Sequence, residues 1–199
     1  MAIRYLYLVR HGKYDSTAAP SDEPDGPLTA EGREQAILTA QRLRGLPITA
    51  IHHSTAERAT ETARLIARQF PDVPLQPSPL LRECIAAIPP PAALPAKYRA
   101  AILKLPRDFL RRGKTQAERA FDKYFKRPRG GDSQEIIVSH GNLIDYFACR
   151  VIKAPAWAWI NLDIRQCGVS EIVIDSTGWM RLMSHNDTGH LPEHLRMFF

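Results

Sequence analysis

The sequence predicts an α/β fold, a three-layer α/β/α sandwich with a mostly parallel central sheet. Two observations lead to this prediction. Short apolar runs with the composition of buried strands alternate with segments of helical periodicity through residue 152, and two of these runs lead directly into a histidine and a glycine. Strands that alternate with helices favour a parallel sheet covered by helices on its faces.

The N-terminal part of the chain supplies the first strands and helices of this pattern. Residues 3–9 form an apolar run typical of a buried strand, and Arg10 and His11 follow it without a break. Thr29 is a favourable N-cap for the helical pattern that comes next. The further elements predicted here are a helix over 30–43, a short strand over 49–53 and a helix over 56–70.

The rest of the chain begins with a segment rich in proline. Eight of the sixteen prolines lie within 71–95, which excludes a long helix or a central strand there. We expect one domain over 1–199, with a basic helical insertion at about 97–129. The elements predicted after the proline-rich segment are helices over 97–105 and 115–126, a turn over 127–132, a strand over 135–138, a helix over 141–152, and strands over 161–164, 169–174 and 179–183.

Composition narrows the class of protein. The 199 residues are 44% hydrophobic and 24% charged, as in ordinary globular proteins, and no apolar stretch has the length of a membrane span. The three cysteines are unevenly spaced and suggest neither a disulfide framework nor a zinc site. No targeting pattern precedes the first strand, so a cytoplasmic location is the default expectation.

Positive charge is concentrated in one segment. Residues 97–129 contain twelve lysines and arginines and three acidic residues, a balance of +9 in a chain of net charge +6. Such a segment can attract an anionic partner, or it can be a pair of solvated helix faces. Its aromatic residues have spacings that suit helix packing better than base stacking, so we expect no nucleic-acid partner.

Histidines follow two of the predicted strands. His11 follows 3–9, and His140 follows 135–138 in the stretch "IIVSHGNLI". Ligands in open α/β sheets lie beyond the carboxyl ends of the strands, so the two imidazoles can share one edge, with the amides of a helix beginning at Gly141 facing an anion. A lone histidine is more often a hydrogen-bonded core residue, and only the pairing favours a site.

Two further candidates lie between these histidines in the sequence. Arg58 falls near the start of a predicted helix and could join Arg10 in binding the oxygens of a phosphoryl group. The alternative is an exposed arginine paired with a neighbouring glutamate. Glu83, in the stretch "LLRECI", falls in a predicted loop, where it could serve a reaction or simply pair with Arg82.

Five short motifs follow one another along the chain: "RHG" at 10–12, "PLTAEGREQA" at 27–36, "HSTAERATETA" at 53–63, "LLRE" at 80–83 and "SHG" at 139–141. In this order and approximate spacing they resemble the motifs of the histidine phosphatase superfamily, also called the phosphoglycerate mutase-like family. The resemblance covers nearly the whole chain and implies a phosphoglycerate mutase-like fold. Within the superfamily, the stretches "ERAFDKYFKR", 135–161 and "NDTGHLP" are most similar to the mitochondrial protein Ser/Thr phosphatases.

The resemblance implies a metal-independent phosphatase that forms a phosphohistidine and needs no cofactor. A nucleophilic imidazole must be neutral, with its other ring nitrogen held as a donor by a backbone carbonyl, whereas the second histidine could be protonated against a bound dianion. The residues implied are His11 as nucleophile, Glu83 as acid and base, and Arg10, Arg58, His140 and Gly141 as phosphate ligands.

The expected substrates are phosphomonoesters, with protein phosphoserine and phosphothreonine first and with acidic groups near the phosphate. A small-metabolite phosphatase or a phosphoglycerate mutase is the alternative within the family. A catalytically silent binding protein is the alternative from another class. We expect no membrane partner, and the sequence does not indicate an oligomeric state.

Overall fold

The computed structural model describes residues 2–17, 25–94 and 96–196, and these form one mixed sheet with helices on both faces. None of the described helices is long and apolar enough to cross a bilayer. The strands and α-helices in chain order are β1 (Ile3–Arg10), α1 (Ala30–Leu43), β2 (Ala50–Ser54), α2 (Glu57–Ala67), β3 (Leu75–Ser78), α3 (Ala96–Leu103), α4 (Arg107–Tyr124), β4 (Ser133–Ser139), α5 (Gly141–Val151), β5 (Val169–Asp175) and β6 (Met180–Asp187).

The sheet has the strand order β3-β2-β4-β1-β5-β6. The pairs β3/β2, β2/β4 and β4/β1 are parallel, whereas β5 is antiparallel to both of its neighbours. The predicted mostly parallel sheet is therefore confirmed. In the register of β1 and β4, Arg10 lies opposite Ser139, so the two strands end at the same level and their following residues meet.

Side chains of strand β1 point alternately to the two sides of the sheet and contact a different helical layer on each side. Leu6 and Leu8 belong to a core cluster shared with α4 and α5. Tyr7 and Val9 belong to a second cluster shared with α1 and α2. This arrangement confirms the three-layer sandwich.

Close backbone contact fixes the segment that follows β1. A Cβ atom on Gly12 would lie 2.5 Å from the carbonyl oxygen of Gly32, and one on Gly32 would overlap the carbonyl of Lys13. The predicted cap is present, since the Thr29 side chain accepts from the amide of Gly32 at 3.1 Å. The start of α1 therefore packs directly against the backbone that carries His11.

Two element predictions differ from the structure, and one further strand lies where no strand was predicted. The helix predicted at 115–126 begins at Arg107, because Gly113 does not interrupt it: that glycine lets the helix pack against the carbonyl of Ile85. Strand β3 lies inside the proline-rich segment, at the edge of the sheet, where proline is tolerated. The strand predicted at 161–164 is wrong, since a 3-10 helix ends at Asn161 and the carbonyl of Ile164 binds Arg10.

Candidate active site

The carboxyl ends of β1 and β4 bring two imidazoles together. His11 follows β1 and His140 follows β4, and their ring centroids are 5.1 Å apart. Both side chains are buried, with 3% and 0% of their surface exposed. The sequence placed these residues 129 positions apart, and the shared sheet edge makes them neighbours.

Hydrogen bonds assign the tautomer of His11. Its Nδ1 lies 2.8 Å from the carbonyl oxygen of Gly12, so Nδ1 carries the proton and donates. The Nε2 atom accepts from Nε of Arg58 at 3.0 Å and therefore carries the lone pair. Burial first, and then the charges of Arg58 and Arg10, hold the pKa of His11 well below its usual value. His11 is thus a neutral imidazole, the form that can attack phosphorus.

The second imidazole is also neutral in this structure. Nδ1 of His140 accepts from Nη2 of Arg58 at 3.0 Å, which leaves Nε2 to donate to Oγ of Ser54 at 2.8 Å. Burial lowers the pKa of His140 well below 6.5, and His11 and Arg58 lower it further. The cationic form expected from the sequence belongs to a state with a bound dianion, whose charge would act in the opposite direction.

Arg58 is the residue that connects these groups. It is the second residue of α2 and only 6% exposed, so its interpretation as an exposed surface residue is wrong. Its guanidinium stacks over the ring of Tyr14, with Cζ 4.6 Å from the ring centroid. Its Nη1 lies 3.1 Å from Oδ1 of Asp25, while the nearby Glu61 pairs with Arg33 instead.

Arg10 is the last residue of β1 and directly precedes His11 in the chain. Its Nη1 donates to the carbonyl of Ile164 and lies 3.9 Å from Oδ1 of Asp163. A Cβ atom on Gly141 would lie 3.7 Å from the guanidinium carbon of Arg10. The start of α5 and the Arg10 side chain are therefore in van der Waals range, and both face the edge where the histidines lie.

Glu83 closes the site from a loop. Its side chain has surface that is open to solvent, on the side that lines a cavity. Protein atoms surround the carboxyl on its other sides, and the resulting desolvation is the main cause that raises its pKa to about 7. Amides of Cys84 and Asn142 donate to its oxygens at 3.1 and 3.4 Å, and Arg10 adds positive charge, all of which oppose the shift. The amide of Asn142, at the start of the helix whose amides are expected to face an anion, thus donates to Glu83 in this structure.

Two neighbouring elements position the Glu83 loop. The Gln116 side chain on α4 donates to the carbonyls of Leu80 and Arg82 at 3.3 and 2.7 Å. The hydroxyl of Ser139, at the end of β4, donates to the carbonyl of Leu81 at 2.8 Å. Since two regions distant in sequence hold the backbone just before Glu83, its carboxyl has a defined place.

A cavity of about 490 Å³ extends from these residues toward α4. Its lining includes Arg58, His140 and Glu83, together with Phe109 and Arg112 of α4. Phe109 is 42% exposed, so the cavity opens to solvent beside α4.

The structure brings together all the residues predicted for the site, and it adds others that the sequence did not single out. Ser54 is one of these, because its Oγ accepts from Nε2 of His140 and so fixes the tautomer of that imidazole. Tyr14, Asp25 and Gln116 carried no signal, because their partners are distant in sequence. Among the described residues, no group of three or more His, Cys, Asp or Glu side chains is arranged to hold a metal ion.

The sequence is similar to those of known proteins. The family model described as histidine phosphatase superfamily (branch 1) matches residues 6–87 and 95–188. The mitochondrial serine/threonine-protein phosphatases PGAM5 of Rattus norvegicus and Homo sapiens are each 34% identical over 196 residues. These matches cover 96% of this chain and 65% of each relative, so the chain spans about two thirds of their length.

Solved structures are similar along their whole length. The phosphoglycerate mutase from Plasmodium falciparum is 27% identical, with a TM-score of 0.65, over 97% of this chain and 96% of that one. A protein from Escherichia coli described as an alpha-ribazole-5'-P phosphatase is 25% identical, with a TM-score of 0.70, over 94% and 97%. Both confirm the predicted phosphoglycerate mutase-like fold.

The comparisons correct one expectation. A cytoplasmic location was expected by default, but the relatives above are mitochondrial by name. The default was wrong because an ordinary composition, free cysteines and a strand pattern near residue 1 are equally compatible with several compartments.

Proposed function

The chain belongs to the histidine phosphatase superfamily, and we propose that it hydrolyses phosphomonoesters through a phosphohistidine on His11. One observation carries this proposal most directly. Nδ1 of His11 is tied to a carbonyl while Nε2 lies 3.0 Å from the guanidinium of Arg58. A neutral nucleophile thus lies next to the group that would bind the oxygens of the phosphoryl group.

The first step transfers the phosphoryl group to the enzyme. The lone pair on Nε2 of His11 attacks phosphorus, and the bond from phosphorus to the alcohol oxygen breaks. Glu83 gives its proton to the departing oxygen, which a carboxyl with a pKa of about 7 can do near neutral pH. Arg10, Arg58 and His140 supply donors and positive charge to the oxygens of the transferring group.

The second step returns the enzyme to its starting state. Water attacks the phosphohistidine, and the carboxylate of Glu83 takes a proton from that water. The bond between nitrogen and phosphorus breaks, phosphate leaves, and His11 regains its lone pair with the proton still on Nδ1. Each proton given in the first step is recovered in the second.

We propose protein phosphoserine and phosphothreonine as the substrates. The similarity to PGAM5 supports this choice. The cavity supports it as well, because it opens to solvent at Phe109 and leaves room for a phosphorylated side chain that enters from a protein surface. The similarity to a phosphoglycerate mutase and to a protein described as a metabolite phosphatase makes a small phosphomonoester the second candidate.

Acidic residues beside the phosphorylated one form the finer part of the proposal. Arg82 and Arg112 both line the cavity beyond Glu83, and Arg112 lies on the solvent-exposed side of α4. Because these two cations line the same cavity as Glu83 and His140, they favour a substrate with negative groups beside its phosphate.

Phosphate release from a panel of substrates tests the reaction and its substrate class. The panel contains p-nitrophenyl phosphate, pThr and pSer peptides and 3-phosphoglycerate, with chelator present, for the wild type and His11→Ala. We expect release from pThr peptides that disappears in His11→Ala. If kcat/KM for small phosphates exceeded that for every peptide by about a hundredfold, the proposal of a protein substrate would be overturned. If 3-phosphoglycerate were isomerised without release of phosphate, the proposal of hydrolysis would be overturned.

The preference for acidic sequences has a matched pair of variants. Arg112→Glu reverses a charge in the cavity, whereas Arg111→Glu reverses a charge that is 78% exposed and paired with Asp108 on the same helix. We expect Arg112→Glu to lower the ratio of kcat/KM for acidic over basic pThr peptides by about five- to tenfold, because an exposed ion pair contributes up to about 1 kcal/mol. Equal ratios in the two variants would overturn this part.

A further inference from the structure

The N-terminus of α2 carries a carboxylate that none of the five family motifs includes. Both oxygens of Asp25 accept from the amide of Glu57, at 3.0 and 3.1 Å, and Oδ1 also lies 3.1 Å from Nη1 of Arg58. The side chain of Asp25 is 25% exposed and that of Arg58 is 7% exposed. This contact is therefore a half-buried ion pair at a helix N-terminus, where a negative charge is favoured.

The three nitrogens of Arg58 have separate partners. Nε and Nη2, which together form the fork of a guanidinium, donate to His11 and His140, each at 3.0 Å. Nη1 faces away from this fork and pairs with Asp25. Since a guanidinium binds a phosphoryl group with two parallel donors, the fork on the imidazoles is the part that phosphate would take.

Binding of phosphate requires this fork to exchange its partners. The lone pair on Nε2 of His11 is accepting from Arg58, and it cannot attack phosphorus until Arg58 releases it. At that moment Arg58 gives up its imidazole acceptors, while Asp25 on Nη1 and the ring of Tyr14 under the guanidinium still hold it. The plane of the fork would then be preserved by contacts outside the reacting centre.

We propose that Asp25 is a positioning residue for phosphoryl transfer. Its carboxylate holds Nη1 of Arg58, so the fork stays aligned while it exchanges the imidazole nitrogens for phosphate oxygens. The inference rests on the proposed phosphatase activity and assigns Asp25 no contact with the substrate. A purely structural Asp25 would instead cap α2 and affect the stability of the fold alone.

A double-mutant cycle separates these two roles. The variants are Asp25→Ala, Arg58→Ala and the double variant, with kcat, KM and the inhibition constant of inorganic phosphate measured well below each Tm. We expect Asp25→Ala to lower kcat by about ten- to a hundredfold and to weaken inhibition by phosphate. In the Arg58→Ala background the same change should cost less than about twofold, because Asp25 would act through Arg58.

Two controls keep the test decisive. Glu57→Gln removes an exposed carboxylate from the same helical turn, and it should change kcat by less than about twofold. Asp25→Asn preserves the size of the side chain and an acceptor, so it serves if Asp25→Ala fails to fold, and its loss should be intermediate. The leaving group gives a further check: losses from Asp25→Ala should be equal for aryl and alkyl phosphates, since Arg58 contacts the phosphoryl group.

The outcomes distinguish this inference from the proposed function. An active wild type whose kcat and phosphate inhibition are unchanged by Asp25→Ala, or losses that multiply in the double variant, would overturn the positioning role. A wild type without activity on any phosphomonoester would overturn the proposed function itself. Even then, calorimetric binding of inorganic phosphate would test the link, because Asp25→Ala should weaken it and Glu57→Gln should not.

Discussion

Replacement of Glu83 by glutamine gives a sharp test of its role as the acid. The surrounding protein raises the pKa of this carboxyl from 4.5 to about 7. At pH 7 about half of the molecules then hold the proton, whereas a carboxyl with a pKa of 4.5 would hold it in about one molecule in 300. Desolvation by the surrounding protein thus makes the active acid far more populated at neutral pH.

The sign of the pH dependence follows from this role. An acid with a pKa of about 7 is lost as the pH rises through that value, so kcat/KM for an alkyl phosphate should fall about tenfold per pH unit above it. Ionisation of the phosphate itself affects alkyl and aryl substrates alike. A nitrophenolate leaves without help, so the ratio of the two kcat/KM values isolates the proton on Glu83.

The assay measures kcat/KM for a pThr peptide and for p-nitrophenyl phosphate between pH 6 and 9. This parameter covers only the steps through formation of the phosphohistidine, so the later role of Glu83 as base does not affect it. We expect Glu83→Gln to reduce the peptide value by about a hundredfold, to change the aryl value by less than about tenfold, and to abolish the pH dependence of their ratio. Equal losses for both substrates would refute the reasoning.

Three further variants test other parts of the structure. His11→Ala should abolish turnover without a change in circular dichroism, and residual phosphorylated enzyme after rapid acid-free quenching would contradict its role as nucleophile. Ser54→Ala removes the acceptor that fixes the tautomer of His140 and should lower kcat about tenfold with the Tm nearly unchanged; an unaltered kcat would show that this hydrogen bond is dispensable. Gly113→Ala places a Cβ atom 2.5 Å from the carbonyl oxygen of Ile85 and should lower the Tm by about 2 to 6 °C, although alanine favours helices. The control is Lys114→Ala, at an exposed position of the same helix. A Tm of Gly113→Ala at or above that of the control would contradict the packing argument.

The layered fold could be predicted because it depends on local patterns. Alternation of apolar runs with helical periodicity reflects which faces are buried, and that pattern is present in the sequence before any contact forms. The same holds for the histidines at the ends of β1 and β4, since parallel strands necessarily end at one edge of the sheet. The proline-rich segment concealed β3, because an edge strand tolerates prolines that a central strand would not.

The five motifs were enough to name the candidate site residues, but the protonation states and partners of these residues depend on distant contacts. Whether Arg58 is exposed or buried depends on the loop that carries Asp25 and on the imidazoles it contacts. The raised pKa of Glu83 depends on how closely α4 and α5 pack around a loop that has no regular pattern of its own.

The sequence by itself therefore determined the kind of fold, the family and the residue proposed as nucleophile, because strand periodicity and short motifs are encoded locally. Only the tertiary structure decided the protonation states, the partners of Arg58 and the positions of Ser54, Asp25 and Gln116. Hydrogen bonds and desolvation act over a few ångströms between residues far apart in the chain, and the distances that govern them exist only once the chain has folded.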